Sequence, residues 1–216
     1  MHPNKRIEYV TWSLNTCILA LTEISYLSKA DSNEELQIIN NHTFSFYRAA
    51  LQYCFNLEYT KLIHVNENKN RPDRNVASIY LLNDSLKSIR PEFRDLHAEN
   101  FDILQNISNA EFAKQQLELR DIKFAHSDGS SPLNNPFQII SLSNEEIQTG
   151  FEHLKLLKRV FDKCLRSFTN LSYDLQIPHS EDRTRNFIHN ASIQRDFYFT
   201  NFNQAIREGF NIIGGK

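Results

Sequence analysis

Near the middle of the chain, Leu119-Arg120-Asp121-Ile122-Lys123-Phe124-Ala125-His126-Ser127-Asp128 brings a guanidinium, a carboxylate and an imidazole close together. On a regular helix His126 falls about 120° around the axis from Arg120. Arg120 then borders the apolar stripe of Ala113, Leu117 and Phe124, and His126 shares a face with Phe112, Leu119 and Ile122. Both polar heads emerge beside apolar surface, away from the solvated side that holds Glu118 and Asp121. In the last turn of a helix the dipole favours an imidazolium, so a histidine there titrates near neutrality and can move protons. The plain reading is an ordinary C-terminal turn, in which the arginine packs its stem, the histidine caps carbonyls and Ser-Asp-Gly ends the helix. Spacing alone does not decide between them, because Arg90/His97 and Arg183/His189 repeat it.

The elements that must position these groups read as helices. Glycine supplies 5 of 216 residues, well below the roughly 7% of an average chain, and valine is scarce beside leucine and isoleucine. Turn-rich sandwiches, barrels and glycine-rich nucleotide folds are disfavoured, and the fold class expected is all-α. A first helix runs from about Ile7 to Leu27, with Leu14, Ile18, Leu21 and Ile24 on one face. Asp31-Ser32-Asn33 starts a second, expected to continue unbroken from Glu35 to Val65 as a central helix packed on two sides. A third covers about Asn75 to Ile89, capped by Asp73. After Pro91 the pattern is helical to Ala125, with an interruption near Ser108-Asn109, and a long loop follows. Ser143 and Glu146 form a capping box that opens a helix to about Leu171, buried through Leu154, Leu157, Phe161, Leu165 and Phe168. A last helix spans about Ser192 to Phe210. The expected architecture is a bundle of five or six helices over 1–175 and a C-terminal extension over 176–216 that ends in a helix.

Charge and composition bound the partners. A net charge of −2 and a pI near 6.4 give no whole-chain attraction to nucleic acid, so any such contact must be local. Cys17, Cys54 and Cys164 lack CxxC spacing and read as buried small hydrophobes in a reducing compartment. The longest early apolar run, Cys17 to Leu21, is too short for a signal peptide or a membrane helix, so a cytoplasmic protein is expected. The histidines are scattered without ligand spacing and no HExxH is present. Glu152-His153 is expected at the surface, and no metal or cofactor is expected.

LRDIKFAHSD resembles the signature of the HEPN superfamily, all-α domains that include many metal-independent ribonucleases. That signature is Arg, four to six residues, then His, with a polar residue directly after the Arg. Asp121 fills that place, whereas Arg90 is followed by Pro91 and Arg183 by Thr184. The tail Phe-Ala-His-Ser-Asp looks like the members linked to abortive infection. The Phe- and Leu-rich second helix and the NVASIYLLNDSL segment before the motif extend the likeness over about residues 5–172. The resemblance implies an endoribonuclease acting in phage defence or as a toxin, in which Arg120, Asp121 and His126 are catalytic. It also implies an RNA substrate and a homodimer with a composite active site, and leaves room for a cognate antitoxin. The alternative is a non-catalytic module of the same fold that binds a partner protein or nucleotide.

Two further features stand outside the motif. Arg183, Arg185, His189 and Arg195 interleave with Phe187, Phe197, Tyr198 and Phe199, a pattern that suits either stacking on single-stranded RNA or a docking helix. Acidic neighbours favour docking. Arg48, set among apolar residues, is expected to form an ion pair.

Overall fold

The computed structural model describes residues 3–65, 77–89, 91–121, 141–169, 184, 187–193 and 200. Among the described residues every regular element is helical. They comprise α1 (Pro3–Tyr26), α2 (Asn33–Ile39), α3 (His42–Ile63), α4 (Ile79–Ile89), a 3-10 turn (Pro91–Phe93), α5 (Arg94–Asn109), α6 (Glu111–Leu119) and α7 (Asn144–Thr169). The all-α expectation is met. Two of the expected helices are each divided in two.

The first division follows from capping. Asn41 turns its backbone to the extended region and its side chain accepts a hydrogen bond from the Phe44 N–H at 3.0 Å. An asparagine in that role starts a new helix, so α2 stops at Ile39. Upstream, Ser32 accepts from the Glu35 N–H, and the Glu35 carboxylate accepts from the Asp31 N–H at 2.8 Å. The second division falls at Ala110, whose extended backbone (ψ 144°) ends α5 close to the expected interruption. Before α7 the expected capping box is complete: Glu146 N–H donates to Ser143 Oγ, and Ser143 N–H donates to Glu146 Oε2 at 2.7 Å. The proposed cap Asp73 and the expected loop after Ala125 lie outside the described residues.

α1 contributes a long buried stripe to the main core. Val10, Leu14, Cys17, Leu21 and Ile24 recur every three or four residues and have no exposed surface, which gives the stripe a buried helix needs. α1 packs along α3 and also meets α7 and α4. The α1–α3 pair is antiparallel: Ser13 Oγ donates to Glu58 Oε2 at 2.6 Å, the Cys17 thiol faces the Phe55 carbonyl, and Arg48 donates to the Leu27 carbonyl. Arg48 thus caps the end of α1, and among the described residues it forms no ion pair. Its guanidinium satisfies a backbone carbonyl left over where the helix ends.

α3 packs along α1 and α6 and also meets α2, α4 and α5. Phe55, Tyr59 and Leu62 are fully buried, and Phe46, Tyr47 and Tyr53 are exposed. Cys54 is also exposed, while Cys17 and Cys164 are buried as expected.

Four helices meet at Gly150 of α7. A Cβ there would stand 2.9 Å from Leu21 of α1, 3.4 Å from Phe112 of α6 and 3.5 Å from Phe55 of α3. Between α4, α5 and α7 lies a polar knot. Asn100 donates to Asn83 Oδ1, and Asn83 donates to the His97 carbonyl, each at 3.0 Å.

Part of the C-terminal extension docks on the bundle. Ile188 is buried with Leu27 and Ile39, and the Phe187 ring lies 6.1 Å from that of Phe44. Thr184 Oγ1 donates to Glu23 Oε2 at 2.6 Å, and His189 Nδ1 approaches Glu35 at 3.5 Å. For these residues the docking role is the observed one. Arg183, Arg185, Arg195, Phe197, Tyr198 and Phe199 lie outside the described residues.

Candidate functional site

α6 carries the first half of the motif and is anchored from below. Phe112, Ala113 and Gln116 are buried, and they hold the helix against α3. Asn56 of α3 donates its amide to the Gln116 carbonyl at 2.7 Å and to Gln116 Oε1 at 3.0 Å. One turn earlier, the Phe112 ring meets Tyr59 edge-on at 5.6 Å. α6 therefore runs antiparallel to α3. A further turn beyond Gln116 brings Arg120 level with Gln52 and Tyr53.

At Arg120–Asp121 the helix widens into a π-type turn, a feature that recurs at functional sites. The Arg120 N–H still bonds back to the Gln116 and Leu117 carbonyls, so the residue is held by the helix although it ends it. Arg120 Nε donates to Asp121 Oδ1 at 2.8 Å, and Nη2 lies 2.7 Å from the same oxygen. The Arg120 side chain is 24% exposed and that of Asp121 62%. The arginine stem is thus half-buried at the margin of the apolar stripe, and the carboxylate is on the solvated side, as the periodicity implies. With Nε and Nη2 turned to Asp121, the Nη1 edge of the fork makes no hydrogen bond among the described residues. That edge carries N–H groups able to donate to an anion's oxygens.

His126, the third member of the motif, lies outside the described residues. The structure brings Arg120 and Asp121 together, and the imidazole is known from the sequence alone.

The second histidine of note is one the sequence reading misplaced. His153, expected at the surface, is only 9% exposed. Its ring stacks with Tyr59 at 6.1 Å and meets the edge of Phe112 at 5.5 Å, and its Nδ1 is 2.6 Å from the Tyr59 hydroxyl. Burial lowers the pKa of His153 and raises that of Tyr59. Both shifts favour the neutral forms, and one proton is shared between the phenol oxygen and Nδ1. The missed signal was periodicity: His153 precedes Leu157 by four residues and shares its buried stripe, although its neighbour Glu152 is exposed.

Among the described residues, no three His, Cys, Asp or Glu side chains come together as metal ligands. None of the described helices is long and apolar enough to cross a membrane. No protein-family model, curated protein or solved structure matches this chain.

Proposed function

We propose that the chain is a metal-independent endoribonuclease of the HEPN type, serving in defence against phage or as a toxin. The observation that carries this reading is the Arg120–Asp121 pair, held at the end of a helix anchored on an all-helical bundle through Phe112, Ala113 and Gln116. The residue order around it, Arg-Asp followed by His126, is the one the family resemblance requires.

The chemistry is phosphodiester transfer within RNA. The 2′-oxygen forms a bond to phosphorus as its proton passes to a base. The bond from phosphorus to the 5′-oxygen then breaks, and that oxygen receives a proton. The products are a 2′,3′-cyclic phosphate and a 5′-hydroxyl. Arg120 would bind the phosphate oxygens as negative charge grows on them. Asp121 holds the guanidinium plane. His126 would carry a proton in one of the two transfers, and a second copy of the chain would supply the other histidine.

The test is incubation of total and transfer RNA with the purified protein in EDTA, beside His126→Ala and Arg120→Ala variants. The expected result is cleavage by wild type alone, with cyclic-phosphate ends. Equal cleavage by wild type and both variants would overturn the site. Absence of cleavage by every form would replace the nuclease with a partner-binding module of the same fold.

A further inference from the structure

Arg120 and Asp121 are adjacent in sequence, and adjacent residues of a regular α-helix point about 100° apart and do not face one another. Here one carboxylate oxygen meets both Nε and Nη2 of the guanidinium, at 2.8 and 2.7 Å. The π-type turn accounts for the meeting. A turn that closes five residues back rotates less per residue, so two successive side chains diverge less.

The cause of that turn lies on α3. Among the buried residues of α3, Asn56 carries the one side-chain amide, and its Nδ2 donates to the Gln116 main-chain carbonyl at 2.7 Å. In an unbroken α-helix that carbonyl belongs to the N–H of Arg120, four residues on. Asn56 takes one of its two lone pairs, and the Arg120 N–H is divided between the Gln116 and Leu117 carbonyls. A side chain inserted into the i→i−4 ladder is a known cause of a break in a helix. Gln116 also stands five residues before Asp121, where the ladder widens. Packing alone does not account for the amide. Its Oδ1 and the Gln116 Nε2 are buried with no hydrogen-bond partner among the described residues, a cost that an apolar side chain would avoid.

We propose that Asn56 is a positioning residue for Arg120: its hold on the Gln116 carbonyl opens the last turn of α6 and so aims the guanidinium fork. The use of that fork on RNA rests on the ribonuclease reading, whereas its placement does not.

Hydrogen exchange followed by NMR on the full chain tests the placement without RNA. The Arg120 Nε proton of wild type is expected to exchange at least about tenfold more slowly than that of a free arginine, as suits a hydrogen bond to a charged group. Asn56→Leu, which removes the donor and keeps the site filled, is expected to bring it to the free rate. Asn56→Ala is read in the same way if leucine overfills the site. Gln116→Met removes only the 3.0 Å side-chain contact and keeps the carbonyl, so its Arg120 proton is expected to stay slow. A slow proton in both Asn56 variants would overturn the proposal, and so would its loss in Gln116→Met or its absence from wild type. Loss of protection throughout α1 and α7 in both Asn56 variants would also overturn it, because Asn56 would then serve the fold as a whole. In the cleavage assay Asn56→Leu is expected to lose about 100-fold in kcat, the effect of misplacing a group by about 1 Å, with KM nearly unchanged. RNA left intact by wild type would count against the nuclease and leave the exchange result standing.

Discussion

Arg120 has its guanidinium fixed at one edge by a neighbour one residue away, an arrangement lysine cannot copy because an ammonium has no planar fork. Arg120→Lys is therefore expected to keep the fold and lose about two orders of magnitude in RNA cleavage, the range typical of one lost charge-stabilising group. Asp121→Asn retains an acceptor oxygen but not the charge, and a smaller loss, of about tenfold, is expected in the same assay. Arg120 and Asp121 were legible as a pair because they are adjacent and helical periodicity sets their faces. The Tyr59–His153 pair was not, because its members are 94 residues apart and only the packed bundle joins them. This pair also makes stability depend on pH. Burial holds the folded-state pKa of His153 below the unfolded value near 6.5, so the unfolded chain binds the proton more readily. The contribution is full above about pH 6.5 and is lost as pH falls through the folded-state value, by at most about 1.4 kcal/mol per pH unit. Urea unfolding at pH 5.5 and 7.5 should show a smaller pH difference for His153→Gln than for wild type.

At the scale of the elements, capping chemistry decides where helices begin. Both side-chain caps read from Ser32 and Ser143 are formed, since a cap depends on residues three positions apart and little else. Ser143→Ala is expected to lower the stability to urea by about 1 kcal/mol. The break at Asn40-Asn41 was hidden because α2 and α3 share one apolar pattern, and a local asparagine overrides a pattern only where packing allows the bend. Gly150 shows the converse. In a sequence it reads as a weak point of α7, whereas in the fold it is the point of closest approach for α1, α3 and α6. Alanine there gains up to about 1 kcal/mol of helix propensity but must displace the buried Leu21, at a cost of about 1–3 kcal/mol. Gly150→Ala is expected to be neutral to destabilising in thermal unfolding, and Gly150→Leu strongly destabilising.

At the scale of the molecule, the bundle has a second, smaller core where the extension returns to it. Ile188 fills this site between Leu27 and Ile39. Its replacement by Ala is expected to cost about 2 kcal/mol, the low end for a buried isoleucine because the site is small. Limited proteolysis should then cut Ile188→Ala between the bundle and the extension faster than wild type. The all-α class was legible from composition, because few residues suited to strands or tight turns are present. Which apolar residues of α3 stay outside was not: Phe46 and Tyr53 are exposed, although in the sequence they belong to one wide apolar surface with Phe55 and Leu62.

The three cysteines fall into two environments with different reactivity. Cys54 is exposed, whereas Cys17 and Cys164 have no exposed surface, and burial pushes the Cys164 thiol up to about 12 and raises that of Cys17. Thiolates are the reactive form, so a maleimide added to the native protein should modify one sulfur per chain and stop. The two remaining sulfurs sit on α1 and α7, in the main core, and can react only when that core opens. Their slow modification is a built-in clock for the opening of the native state, and it can be read by mass spectrometry without denaturant.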